Sequence, residues 1–211
     1  MMFLNVWNAF RPQETDYTAF APTRLPAVQD GVVQPYADSP LDEEPLAETV
    51  YLDILSQAQR YVYIYTPYLA VGEEMLDALK NAAKRGVDVR LILPGIPDKK
   101  LVFRLSRSYY LPLLRAGVRI YEYTPGFIHA KQCVADGAEA VVGTINFDFR
   151  SLYLHFECGV WMFNCSSIYE IKEDYMDTLA KCDEVTKEKI RETSRLKLFG
   201  QSLLRLVAPL M

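Results

Sequence analysis

From residue 45 onward the apolar positions change period in a regular order. Over residues 45–59, Leu46, Val50, Ile54 and Leu55 recur at three- and four-residue steps, and Glu43, Glu44 and Glu48 lie near the start, so the spacing predicts a helix. Residues 61–65 (YVYIY) are aromatic or β-branched throughout and predict a strand. Residues 73–85 predict a helix with Leu76, Leu79 and Ala83 inward and Gly86 as its stop. A strand over 87–93, a helix over 99–116 broken near Pro112, and a strand over 118–123 follow. This βαβαβ order predicts an α/β fold: a mixed, largely parallel sheet sandwiched between helices.

Beyond residue 123 helix becomes scarce. Strands are predicted over 127–135, 138–142 and 157–163, and a helix over 168–181. From 185 to 211 the chain reads as an amphipathic helix. Phe199, Leu203, Leu206, Val207 and Leu210 stand at helical spacing beside Arg195, Lys197 and Arg205, which suits either an interfacial helix or one docked on its own core. Residues 1–40 are irregular, interrupted by Pro12, Pro22, Pro26, Pro35 and Pro40. Phe3, Leu4, Val6, Trp7 and Phe10 suggest a short helix, either folded on the core or facing a missing contact. Residues 31–35 suit an edge strand, where proline is tolerated. The organisation expected is an extension over 1–30, one lobe over 31–184, and the helical tail over 185–211.

Composition narrows the function classes. The chain has 211 residues, 50% hydrophobic and 24% charged, which suits one globular domain with tails. Its net charge is −4 and its pI about 5.3, which argues against a general nucleic-acid coat protein. Cys133, Cys158, Cys165 and Cys182 form no C-x-x-C pair and no zinc-like spacing, so buried reduced thiols are expected. No stretch approaches the roughly 18–20 apolar residues of a membrane span, and residues 1–10 lack a signal-peptide pattern. An integral membrane protein is therefore not expected, while binding at a membrane surface stays open. Charge is segregated. Residues 84–119 hold nine Lys or Arg against two Asp, whereas 37–53 hold six acids and no base. The basic stretch suits either anionic headgroups or a plain solvated face. Only two histidines are present, His129 and His155, so a mechanism needing several histidines from this chain is excluded.

The chemistry concentrates in residues 128–152. On a strand, His129 and Lys131 share a face. Thr144 and Asn146, again two apart, follow Gly143. If the second segment runs beside the first, an imidazole, an ammonium, a hydroxyl and an amide converge, a set suited to a phosphoryl group. Alone, H-x-K is a weak signal and fits a solvated strand face better.

The full string H-x-K-x4-D-x6-G-T-x-N-x-D-x-R-S is met by His129, Lys131, Asp136, Gly143, Thr144, Asn146, Asp148, Arg150 and Ser151. It resembles the signature of the phospholipase D superfamily. SPLDEEPLAETVYLDIL, YVYIYTPYL, GVDVRLILPG, PDKKLVFRLSRSYY, LLRAGVRIYEY and GFIHAK resemble the C-terminal half of bacterial cardiolipin synthases. That resemblance implies transfer of a phosphatidyl group between two phosphatidylglycerol molecules, giving cardiolipin and glycerol. It implies two H-x-K motifs at one site, one histidine forming a phosphohistidine and the other acting as acid and base. It also implies that no metal or other cofactor is used. By position, His129 resembles the acid/base histidine. Lys131 and Asn146 resemble phosphate ligands, Thr144 a hydroxyl contributor, and Glu157 the carboxylate that orients the histidine. Asp136, Gly143, Asp148, Arg150 and Ser151 are expected to hold the strand and turn. Relatives tend to carry Asn at position 155, so His155 is expected to be structural.

One H-x-K motif is present where the resemblance implies two. Three arrangements follow: a C-terminal lobe inactive alone, a homodimer sharing His129 from each copy in the manner of single-motif phosphodiesterases or nucleases, or a partner of a separate first half. The expected partners are phosphatidylglycerol and a second H-x-K lobe, with nucleic acid disfavoured. The expected location is the cytoplasmic face of the bacterial membrane.

Overall fold

The structure, a computed structural model, describes residues 2–10, 16–21, 30–41, 44–191, 204, 205 and 208. In chain order these form α1 (Met2–Phe10), a 3-10 turn (Thr18–Phe20), β1 (Val32–Asp38), α2 (Leu46–Gln57), β2 (Tyr61–Tyr65) and β3 (Leu69–Ala70). There follow α3 (Glu73–Lys84), β4 (Asp88–Pro94), α4 (Lys100–Ser108), α5 (Tyr110–Ala116), β5 (Arg119–Tyr123), β6 (Gln132–Ala135) and β7 (Glu139–Gly143). The last are β8 (Phe147–Asp148), α6 (Phe149–Tyr153), β9 (Glu157–Phe163), α7 (Ser167–Leu179), β10 (Cys182–Val185) and α8 (Lys187–Arg191). Among the described residues, eight strands pair in the order β1-β9-β7-β6-β2-β4-β5-β10, and β3 pairs with β8 apart from them.

Side-chain alternation along the strands divides the core in two. In β2, Val62 and Ile64 face α2, α3, α4 and α5, joined by Val89, Leu91, Leu93, Ile120, Cys133 and Val141. Tyr61, Tyr63 and Tyr65 face α7, where Tyr175 lies 5.0 Å from the Tyr63 ring and 4.9 Å from Tyr65. Strand β2 is buried on both sides, which is why its sequence is an unbroken apolar run rather than an alternation.

The mixed sheet between helix layers agrees with the sequence expectation, but its parallel part is smaller than expected. Only β2-β4 and β4-β5 pair in parallel; the other five pairings of the large sheet are antiparallel. The reason is connection length. Helices α3, α4 and α5 allow the crossovers that parallel strands need, whereas β6 and β7 are joined by three residues and can only form a hairpin.

Local details also differ. The helix over 99–116 breaks at Tyr109, between α4 and α5, and not at Pro112. Pro112 occupies the first turn of α5, where its missing N–H has no intrahelical acceptor to lose. The strand expected from 127 begins only at Gln132. Residues 182–185 form β10, an edge strand whose two apolar positions gave no usable period. The tail residues Phe199, Leu203, Leu206, Val207 and Leu210 lie outside the described residues. Leu204 packs on the core, and Arg205 sits 4.8 Å over the Tyr109 ring. The cysteines are free, with Cys133 and Cys165 buried but Cys158 exposed. Among the described residues no helix is long and apolar enough to cross a membrane.

Candidate active site

The topology brings His129, Lys131, Thr144, Asn146 and Glu157 to one edge of the sheet. The parallel strands β2, β4 and β5 end there. Antiparallel pairing then makes β6 begin, β7 end and β9 begin at the same edge, through Tyr65↔Gln132, Gln132↔Val142 and Gly143↔Gly159. The segment carrying His129 and Lys131 leads into β6, Thr144 and Asn146 follow β7, and Glu157 opens β9. Ligand sites of open α/β sheets form at this end of parallel strands.

The strands are stitched together there. Gly143 N–H donates to Lys131 O at 3.2 Å, and Thr144 N–H donates to Cys158 O at 2.9 Å. A Cβ on Gly143 would lie 2.3 Å from Cys158 O, so the G of G-T-x-N is required by the approach of β9. The loop after β2 holds the loop after β7. Thr66 Oγ1 donates to Tyr68 O at 2.7 Å and accepts from Phe147 N–H at 3.0 Å, beside the β3–β8 pair.

His129 is exposed and precedes β6 rather than lying in it. Its ring lies 5.9 Å from that of Phe127, and the Phe127 ring 6.4 Å from that of Tyr68. Partial burial and then the Lys131 ammonium hold the imidazole pKa below its usual value, with Asp98 pulling the other way. Lys131 Nζ donates to His129 O at 2.7 Å. Burial lowers the Lys131 pKa too, opposed by the Glu157 and Asp148 carboxylates.

Glu157 is engaged by neighbours other than His129. Thr144 Oγ1 donates to Glu157 Oε2 in a short contact and accepts from Cys158 N–H at 3.0 Å. The Glu157 Oε1 lies 3.5 Å from His155 Nδ1. Thr144 Oγ1 also has Cys158 O as an acceptor at 3.3 Å, so Glu157 lies between Thr144 on one oxygen and His155 on the other. Asn146 Nδ2 donates to Ser151 Oγ at 2.8 Å, while the buried Asn146 Oδ1 has no partner. A hydroxyl can donate or accept, so a half-turn of this amide would satisfy Oδ1 through Ser151 and free the NH2 group for an anion. Asp148 caps α6 by accepting from Ser151 N–H at 2.8 Å, and burial raises its pKa. Arg150 is exposed.

Asp136 lies away from this edge, in the β6–β7 turn with φ 54°. Its carboxylate accepts from the N–H groups of Gln59, Arg60 and Tyr61 at 2.7, 2.9 and 2.8 Å, tying the turn to the start of β2. Burial works to raise its pKa, but those three bonds and Arg60 outweigh it, and the carboxyl is held below its usual range. Asp136→Ala is expected to cost about 2 kcal/mol by urea denaturation, since three N–H groups lose their acceptor. Because the folded pKa is depressed, this stabilisation is present above the unfolded value near pH ~4 and is lost as pH falls through the lower folded value. Asp136→Asn should therefore flatten the acid limb of stability. An unchanged acid limb would show that the carboxylate charge contributes nothing.

Sequence reasoning overlooked Tyr68, Asp98 and Phe127, which border His129. Tyr68 OH donates to Asp98 Oδ2 at 2.5 Å. Their positions just past the ends of β2, β4 and β5 were the available signal.

Residues 51–179 match the family described as cardiolipin synthase, PLD-like domain. The chain is 50% identical over 216 residues to an uncharacterised protein of Streptococcus mutans, covering 100% of this chain and 46% of that protein. It is 35% identical over 216 residues to a cardiolipin synthase of Halalkalibacterium halodurans, covering 100% and 42%. The chain thus spans less than half the length of these curated relatives. Its fold is similar to that of Nuc, a phospholipase D family member from Salmonella typhimurium, with TM-score 0.64 and 18% identity over 75% of this chain and 100% of Nuc.

Proposed function

The chain belongs to the cardiolipin synthase, PLD-like domain family, and from that premise we propose that it supplies one catalytic lobe of a phosphatidyltransferase that converts two phosphatidylglycerol molecules to cardiolipin and glycerol. The observation that carries this reading is the convergence of His129, Lys131, Thr144, Asn146 and Glu157 at one sheet edge. Its chemistry uses two histidines, and this chain has one H-x-K motif, so a second such lobe completes the site.

In the first step a histidine of the second lobe attacks phosphorus. The P–O bond to glycerol breaks, and His129 gives its proton to the departing oxygen. In the second step His129 takes the proton of a second phosphatidylglycerol hydroxyl. That oxygen attacks the phosphohistidine and the P–N bond breaks. Lys131 and the Asn146 amide neutralise the phosphoryl oxygens. The lowered pKa of free His129 suits the base step, and a bound phosphodiester anion raises it for the acid step. The lobe works at the cytoplasmic face of the bacterial membrane, where phosphatidylglycerol is presented.

The test combines the purified chain, alone and with a complementary H-x-K lobe, with phosphatidylglycerol vesicles and follows cardiolipin by mass spectrometry. Cardiolipin in the combined sample is the expected result. Turnover by the chain alone, with a dimer in sedimentation, would replace the two-lobe arrangement by a homodimer. Plasmid cleavage without lipid turnover would overturn the transferase reading.

A further inference from the structure

The basic stretch over 84–119 is not uniformly charged once its ion pairs are taken into account. Arg90 pairs with Asp88, Arg107 with Glu122 and Arg119 with Glu184, and Arg85 is bound to the carbonyls of Leu55 and Ser56. Lys100 and Arg104, exposed on α4, have no ion pair among the described residues, and neighbouring Lys99 lies 5.8 Å over the Tyr68 ring. The same stretch carries two exposed aliphatic side chains, Ile96 at 44% and Leu101 at 51%. The opposite face of α4 is anchored, with Leu105 and Ser106 buried and Ser106 Oγ accepting from Leu69 N–H at 3.0 Å. Helix α4 is therefore fixed to the core by one face and presents Lys100 and Arg104 on the other, with Leu101 exposed one turn before buried Leu105 and Ile96 exposed in the loop that leads into the helix.

Its position is specific. The 95–99 loop leaves the end of β4, on the edge that carries His129. Asp98 in that loop both receives the Tyr68 hydroxyl and acts electrostatically on His129.

We propose that α4 and its leading loop, through Ile96, Lys100, Leu101 and Arg104, are the surface that docks this lobe on an anionic bilayer, with the His129 edge facing the headgroups. This rests on the phosphatidyl-transfer reading and specifies how that site meets its substrate. Charge complementarity supplies attraction to anionic lipid. The aliphatic pair separates a bilayer from a nucleic acid, which would gain little from Ile96 and Leu101.

The test is co-sedimentation of the full chain with vesicles of equimolar phosphatidylglycerol and phosphatidylcholine, against pure phosphatidylcholine. A basic residue near such a surface strengthens binding roughly fivefold. Reversing two charges in Lys100→Glu/Arg104→Glu should thus weaken binding by at least about 30-fold, and Leu101→Asp by about tenfold. These positions are exposed, so thermal unfolding should stay unchanged. Turnover of a water-soluble phosphodiester by the two-lobe assembly should also persist in both variants. Vesicle binding that survives both variants, or that does not favour phosphatidylglycerol, overturns the docking surface whatever the reporter shows. Loss of plasmid retention without loss of vesicle binding overturns it in favour of nucleic acid. If wild-type assembly turns over no reporter while vesicle binding depends on α4, the docking surface stands and the transferase reading fails.

Discussion

His129→Asn is expected to lower cardiolipin formation by the two-lobe assembly about a thousandfold or more, with the fold intact. The ring is exposed, and its described ring contact is with Phe127, so removing it leaves no buried cavity. Its loss removes both proton transfers at the reacting oxygen, and acid–base groups of this kind contribute roughly a hundred- to ten-thousandfold. The loss should fall on kcat, because the proposed phosphate ligands Lys131 and Asn146 are left in place. The pH profile gives a second measurement. Partial burial and Lys131 depress the His129 pKa, so the alkaline limb of kcat/KM, where the acid of the first step loses its proton, should lie below the usual histidine value near pH ~6.5. Lys131→Met removes the repelling cation, so the limb in its residual activity should move to higher pH. A His129→Asn variant retaining a tenth of wild-type turnover would remove His129 from the mechanism.

The sequence pattern was most legible where one physical constraint dominated. Strand β2 was legible from its aromatic and β-branched content, because it is buried on both sides, and helix α3 from its period, because it buries one face. The nine-position string pointed to the candidate site, and several of its members answer to separate structural demands. Asp136 satisfies three N–H groups, Asp148 caps α6, and Gly143 makes room for β9. Features that depend on tertiary approach were hidden. β3 and β8 are two residues each, too short for any period, yet they hold the loop carrying Asn146 beside the end of β2. The balance of parallel and antiparallel pairing is a property of connections, which residue patterns report only indirectly. The position of Glu157 beside Thr144 and His155 follows from side-chain rotamers at the start of β9, which spacing cannot specify.

Gly143→Ala is expected to destabilise the protein by about 3 kcal/mol and to lower transfer activity further than the stability loss explains. The added Cβ would lie 2.3 Å from Cys158 O and 2.8 Å from Gly159 Cα, both main-chain atoms of β9 with no side-chain freedom to yield. Strand β9 cannot retreat without cost. Its register with β7 places Gly143 against Gly159, and on Gly159 the Tyr36 ring of β1 already sits so close that a Cβ there would meet it at 2.5 Å. Any separation at this point stretches the Thr144 N–H to Cys158 O and Cys158 N–H to Thr144 Oγ1 bonds, of 2.9 and 3.0 Å. Through Thr144 it also moves Glu157, so the lesion reaches the chemical site without altering any residue assigned to it. Gly126→Ala supplies the contrast, because a Cβ there meets nothing within 4 Å. It should change stability by less than about 0.5 kcal/mol. Urea midpoints for the two variants, measured beside their residual activities, separate a packing requirement from a general intolerance of alanine. Equal midpoints would mean that the glycine of G-T-x-N is not held by the contact with β9.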